Sequence, residues 1–125
     1  MEAVNRAHSS SDAWASRLAI ESSADGGFTM RLGGDHMNFL DGAHGGALYS
    51  LCEKALRATA SVGGRDVTVV DTHLVLTAGG REGDTFTATV EPVSIGRTLG
   101  VYSVSVTRGD GRLVGRMTGT VRFEA

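Results

Sequence analysis

The chain has 125 residues, enough for one domain with a single core, and its 41% hydrophobic and 21% charged content is ordinary globular composition. A formal net charge of −2 and a pI near 6.0 remove any electrostatic reason to expect nucleic acid or an anionic membrane as partner. The N-terminus lacks the apolar core of a signal peptide, no run is long enough to span a bilayer, and the single cysteine, Cys52, excludes an internal disulfide, so a reducing, cytoplasmic location is expected.

Residues 1 to 10 are polar and expected to fray. Ser11 or Asp12 can cap a short helix that holds Ala13, Trp14 and Leu18. A first strand is expected over Leu18 to Ser23. Asp25-Gly26-Gly27 is a turn signal, and Phe28 to Leu32 reads as a second short strand. Gly33 to Ala43 is loop. The longest helical pattern runs from about His44 to Ser61 and ends at Gly63-Gly64. Within it Leu48, Leu51, Cys52, Ala55 and Ala58 fall at spacings of three and four, which makes one apolar stripe. Tyr49, Ser50, Glu53 and Arg57 fall on a different face.

Strand and turn follow. Val67 to Thr77 is rich in Val, Thr and Leu, and a turn over Ala78 to Asp84 leads to Thr85 to Val93. Ser94-Ile95-Gly96-Arg97 breaks that run. Leu99 to Thr107, the turn Arg108-Gly109-Asp110-Gly111, and Arg112 to Phe123 complete the chain. In the last run Leu113, Met117, Val121 and Phe123 alternate with Arg116, Thr118, Thr120 and Arg122, so one face is buried and one is wet. The 18 glycines fall mostly between strand-like runs and mark tight turns. These facts describe one α+β domain, an antiparallel sheet curled around a single long central helix. Its long strands leave edges that need covering, and pairing with a second copy is one way to do it.

The motif Asn38-x-x-x-Gly42-x-His44-Gly45-Gly46, with Glu53 seven residues after Gly46, resembles the hotdog-fold acyl-CoA thioesterases of the phenylacetate-pathway, PaaI-like type. Gly83-Asp84 before a strand, Gly96-Arg97-Thr98 before the next, and Asp110-Gly111 before a last strand carrying Thr120 fit the same pattern. The resemblance spans Trp14 to the C-terminus, so residues 1–125 are read as one hotdog thioesterase domain. It implies an acyl-CoA thioesterase acting on an aryl-CoA or a short- or medium-chain acyl-CoA. Glutamate at the acidic position is the form found in one branch of 4-hydroxybenzoyl-CoA thioesterases. Carried over residue by residue, Glu53 is nucleophile or general base, the Gly45 amide polarises the thioester carbonyl, and Asn38 positions water or the reacting group. His44, Gly46, Tyr49, Arg57, Arg97 and Thr98 are the substrate-binding candidates, with His44 supporting the loop and Arg97 available to a coenzyme A phosphate. No cofactor is implied beyond coenzyme A as part of the substrate. The family assembles as homodimers with joined sheets and antiparallel helices, and a dimer of dimers is expected.

The chemistry needs such parts. A helix N-terminus offers free N–H groups and a positive dipole to an oxyanion, and glycine lets the thioester approach the backbone. A carboxylate can attack to form an anhydride or take a proton from water, and both routes remain open. Gly45 and Glu53 are eight residues apart, about 12 Å along a helix at ~1.5 Å per residue. One thioester carbon does not reach both in one chain, so Glu53 is expected from a neighbouring subunit.

Arg57 departs from the family pattern, which has a small or hydroxyl residue one turn after the acid. An i, i+4 Glu–Arg pair favours the ionised carboxylate. It also allows a second reading, a non-catalytic acyl-CoA binding or sensing protein in which Arg57 neutralises Glu53. A third, a hotdog hydratase or dehydratase, lacks its paired His and acid here. His8, His36, His44 and His73 show no metal-ligand spacing. Cys52 lies on the apolar stripe as a small core residue. Asn38 is read equally as a cap for the loop backbone.

Overall fold

A computed structural model describes residues 12–124; the fraying expected for residues 1 to 10 lies outside them. The elements are α1 (Ala13–Arg17), β1 (Ile20–Ser22), β2 (Phe28–Arg31), α2 (Gly45–Ala60), β3 (Val67–Leu76), β4 (Thr85–Ile95), β5 (Leu99–Arg108) and β6 (Leu113–Phe123). A single 3-10 turn, Gly34–His36, interrupts the loop before α2. The strands form one antiparallel sheet in the order β1-β2-β4-β5-β6-β3. This is the α+β hotdog architecture expected, with α2 as the helix that the sheet enwraps.

Asp12 starts α1, its Oδ1 accepting from the Ala15 amide at 3.1 Å. That bond, aided by Lys54, holds the Asp12 carboxyl below the usual aspartate range. Ala19 turns the chain into β1 through a left-handed φ of 56°. The predicted stripe of α2 is buried entirely, and Ala47, Leu56 and Ala60 join it. It packs on Met30, Leu32, Phe86, Ala88, Val104, Val106, Met117 and Val121 from the sheet's inner face.

Two glycines of β6 decide how closely α2 lies on the sheet. A Cβ at Gly115 would stand 2.9 Å from Leu48 Cδ2, and one at Gly119 would stand 2.5 Å from Leu56 Cδ2. Four strand residues span about 13 Å and eight helical residues about 12 Å. The two glycines therefore receive two leucines of one helix stripe, and α2 runs along β6 with its N-terminus at the Leu76–Gly115 end.

Three of the long strands depart from a regular alternation. β4 continues through Ile95 rather than stopping at Ser94. Pro92 donates no hydrogen bond, but it sits beyond Ala88, where β2 has ended, and the register shift at Val93 absorbs it. β3 carries a similar shift at Val70. In β6 a shift at Val114 turns Val114 into the core and leaves Leu113 half-buried, so the alternation holds only from Gly115 onward. β3 pairs with β6 alone, and its other edge is unpaired among the described residues.

Candidate active site

One stripe of α2 is left uncovered, and it is the stripe the sequence set apart. On one side stands β3, where the Tyr49 hydroxyl lies 3.1 Å from Thr72 Oγ1 and an Arg57 N–H donates to the Val67 carbonyl at 3.4 Å. On the other stands α1, where the Trp14 indole N–H donates to Ser50 Oγ at 2.9 Å and Lys54 meets Asp12 at 3.1 Å. Tyr49, Glu53 and Arg57, four residues apart, run along the groove between them. Glu53 Oε2 accepts from Arg57 at 2.5 Å, with both side chains partly exposed.

The N-terminus of α2 has an economical hydrogen-bond pattern. His44 is the N-cap, and its Nδ1 accepts from the Gly46 amide at 2.9 Å, which places the ring proton on Nε2. The His44 carbonyl accepts from the Ala47 and Leu48 amides at 3.0 and 3.2 Å. A helix leaves four N–H groups without intrahelical partners in its first turn unless the junction supplies them. Here Gly46, Ala47 and Leu48 are served, and among the described residues the Gly45 amide makes no hydrogen bond. Gly45 lies against the end of β3, since a Cβ there would meet Leu76 Cδ1 at 3.4 Å. Gly46 is glycine for another reason: a Cβ would come within 3.0 Å of the His44 ring. Trp14, Leu18, Asp35, His44, Gly46 and Ala47 line a recess of about 250 Å³ on the α1 side.

Asn38 is occupied by its own loop. Its Oδ1 accepts from the Leu40 and Gly42 amides at 2.9 and 3.0 Å, and its backbone amide donates to the Gly42 carbonyl. The capping reading is thus what the geometry displays, while Nδ2 makes no hydrogen bond among the described residues. The Met37–Ala43 bridge closes this loop, and the Ala43 amide donates to the Gly80 carbonyl. Phe39 and Leu40 stand at its tip, 93% and 74% exposed.

The structure does not bring all the candidates together within one chain. Gly45, with His44 and Gly46 beside it, lies at the Leu76 end of β3, and Tyr49 reaches the middle of that strand at Thr72. Arg57 marks the Val67 end, and Glu53 lies between. Arg97 and Thr98 occupy the β4–β5 turn, where the Thr98 carbonyl accepts from Phe123, the partner of Val67. Nine residues of β3 separate that end from Leu76, about 30 Å at ~3.3 Å per residue.

Two features escaped the sequence. His36 is buried, with Nδ1 accepting from the Gly33 amide at 2.9 Å and Nε2 at 2.6 Å from the Leu18 carbonyl, while its own carbonyl receives the His44 amide at 2.7 Å. It ties the end of α1 to the residue that caps α2. No periodicity announces it, because its partners are backbone groups that any residue supplies. Trp14, expected within the short first helix, lies 62% exposed, its indole bonded to Ser50, which in turn donates to the Gly46 carbonyl at 2.9 Å. Replacing His36 by Phe is expected to orphan the buried Leu18 carbonyl, at roughly 1–3 kcal/mol, and the half-buried Gly33 amide, at less. Urea unfolding of the variant beside wild type measures it; equal midpoints would deny His36 its bracing role.

Cys52 is fully buried in the core, and burial pushes its thiol up to about 12, which removes it as a nucleophile at neutral pH. No described helix is long and apolar enough to cross a membrane.

A family model described as "Thioesterase superfamily" matches residues 40–115. A Deinococcus radiodurans protein named "Putative esterase" is 33% identical over 86 residues, 68% of this chain; the aligned stretch is 58% of that relative's length. Among solved structures, the PaaI protein from the phenylacetic acid degradation operon of Escherichia coli superposes with a TM-score of 0.88 at 26% identity, covering 99% of this chain and 94% of that one. A hypothetical thioesterase protein of Streptococcus pneumoniae, solved with coenzyme A, superposes with a TM-score of 0.74 at 29% identity, covering 85% of this chain and 84% of that one.

Proposed function

The chain belongs to the thioesterase superfamily, and from that premise we propose that it hydrolyses an acyl-CoA thioester to the free acid and coenzyme A. The observation that carries this is the Gly45 amide at the first position of α2, which makes no hydrogen bond among the described residues. Such a donor, at the positive end of a sixteen-residue helix, is preorganised for the oxygen on which charge develops during acyl transfer. The coenzyme A bound in the Streptococcus pneumoniae relative supports an acyl-CoA as the substrate class.

The attacker in this reading is Glu53 of a second subunit. Along one helix Gly45 and Glu53 stand about 12 Å apart, too far for one thioester carbon. The open edge of β3 offers the remedy. Val70, Val75 and Leu76 are exposed along it. Two β3 strands paired antiparallel about their middles would set the Val67 end of one copy beside the Leu76 end of the other. The carboxylate of one subunit then approaches the Gly45 amide of its partner. The same rotation carries Arg97 and Thr98, distant within their own chain, toward the partner's site, where Arg97 can meet a coenzyme A phosphate. Tyr49, Leu76 and His44 would border the acyl group, with Asn38 Nδ2 and Gly46 beside it.

The proposed chemistry uses this chain's amide and carboxylate, with coenzyme A entering only as part of the substrate. In one route Glu53 attacks the acyl carbon, the C–S bond breaks to release the coenzyme A thiolate, and water then cleaves the resulting anhydride to the free acid and restores the carboxylate. In the other Glu53 takes a proton from the water that attacks the acyl carbon, and the tetrahedral intermediate expels the thiolate. The Gly45 N–H stabilises the oxyanion in either case. A dimer, paired further into a tetramer, and a cytoplasmic location complete the reading.

The close contact between Arg57 and Glu53 favours one rival, an acyl-CoA binding protein without turnover. Release of free thiol from benzoyl-, phenylacetyl- and hexanoyl-CoA, followed with a thiol dye, separates the two. Turnover is expected on at least one. Binding of these thioesters with no release across a broad panel would establish the rival.

A further inference from the structure

We propose that Arg57 is a positioning residue that aims the Glu53 carboxylate, a role that rests on the assignment of Glu53 above. Arg57 has two anchors. One guanidinium nitrogen holds Glu53 Oε2 at 2.5 Å, and the other donates to the Val67 carbonyl at the start of β3. The Arg57 backbone is fixed as well, since its carbonyl accepts from both the amide and the hydroxyl of Ser61, the C-cap, at 3.1 and 2.6 Å.

An i, i+4 pair on a free helix face swings with its side chains. This one is pinned to the sheet. The guanidinium is planar and rigid, so securing one nitrogen on a strand carbonyl sets the direction of the other. The carboxylate is held by one oxygen only. Oε1 makes no hydrogen bond among the described residues, and it is the oxygen left to meet an acyl carbon or a water. The strand that anchors Arg57 is the same edge strand proposed as the subunit seam. The orientation of Glu53 is thereby referred to the surface across which it must act.

The test uses the full chain with its best acyl-CoA substrate. Arg57→Gln is expected to lower kcat by about 10- to 100-fold, with KM moving less than about threefold, as a misaimed reacting group does. Arg57→Lys keeps the charge but does not span both anchors, so it recovers only part of the loss. In a Glu53→Gln background, Arg57→Gln is expected to add nothing, because there is no carboxylate left to aim. A rise in KM at constant kcat would overturn the proposal and make Arg57 a substrate contact. So would equal losses in both backgrounds, which is the mark of a general effect on the fold.

Melting temperatures and size-exclusion profiles accompany each variant. Should Arg57→Gln fail to fold, Arg57→Lys decides: full kcat in that variant overturns the proposal. If Glu53→Gln retains wild-type turnover, the assignment of Glu53 fails and takes this inference with it. If Glu53→Gln is inactive and Arg57→Gln is unimpaired, only the positioning role falls.

Discussion

Glu53→Gln is expected to lower kcat by about 10²–10⁴-fold, the range a positioned acid–base group commands, and by at least as much if the carboxylate is a nucleophile. The substitution is nearly isosteric. A glutamine oxygen can still accept from Arg57, so the contact that fixes the side chain survives while the charge and the basicity go. KM is expected to stay close to wild type, because the carboxylate acts on the reacting carbon rather than on the bulk of the substrate. Melting temperature is expected to hold too, since the Glu53–Arg57 pair is partly exposed and pairs of that kind contribute little to stability. Thiol release under saturating substrate measures kcat, and isothermal titration of the inactive variant measures binding. Turnover within a few-fold of wild type would remove Glu53 from the chemistry.

The sequence made α2 legible because its pattern is local. Leu48, Leu51, Cys52, Ala55 and Ala58 repeat at helical spacing, and each is buried as that spacing requires. The same reasoning placed Tyr49, Glu53 and Arg57 on another face, and that face is the floor of the groove between α1 and β3. His44 as the entry residue was legible too, though its exact task, a ring nitrogen accepting from Gly46, depended on a rotamer that sequence does not encode.

The strands were legible to within a few residues, and their parity less so. The shifts at Val70, Val93 and Val114 each insert one residue against a partner strand. Whether a strand bulges depends on the twist and length of its neighbour, which its own alternation does not report. Leu113 was therefore grouped with Met117 on one face, and Val114 took its place in the core. Gly115 and Gly119 were likewise silent in sequence. Their meaning lies in Leu48 and Leu56, roughly sixty residues earlier in the chain, whose methyl groups occupy the space a Cβ would need. Trp14 was placed in the short first helix with no burial assigned, and its exposure goes with a contact the sequence does not show, the indole nitrogen donating to Ser50 on α2.

The sharpest test of the site pairs Glu53→Gln with Gly45→Pro. Proline at the first position of a helix removes an N–H that has no intrahelical partner, and its fixed φ suits the helix. The residue before it must be extended, and His44 already has φ −71° and ψ 129°. The added Cβ meets Leu76 at 3.4 Å, an ordinary contact. The amide lost makes no hydrogen bond among the described residues, so melting temperature is expected to hold while kcat falls by about 10²–10³-fold, the usual cost of one oxyanion donor. Each variant alone is then inactive. In a mixed dimer, the intact Gly45 of the Glu53→Gln subunit faces the intact Glu53 of the Gly45→Pro subunit, and one competent site returns. Random assortment from equal amounts is expected to restore about a quarter of wild-type activity, because half the dimers are mixed and each carries one working site of two. If amide and carboxylate served the same site from a single chain, every site in the mixture would lack one of them, and co-expression would restore nothing.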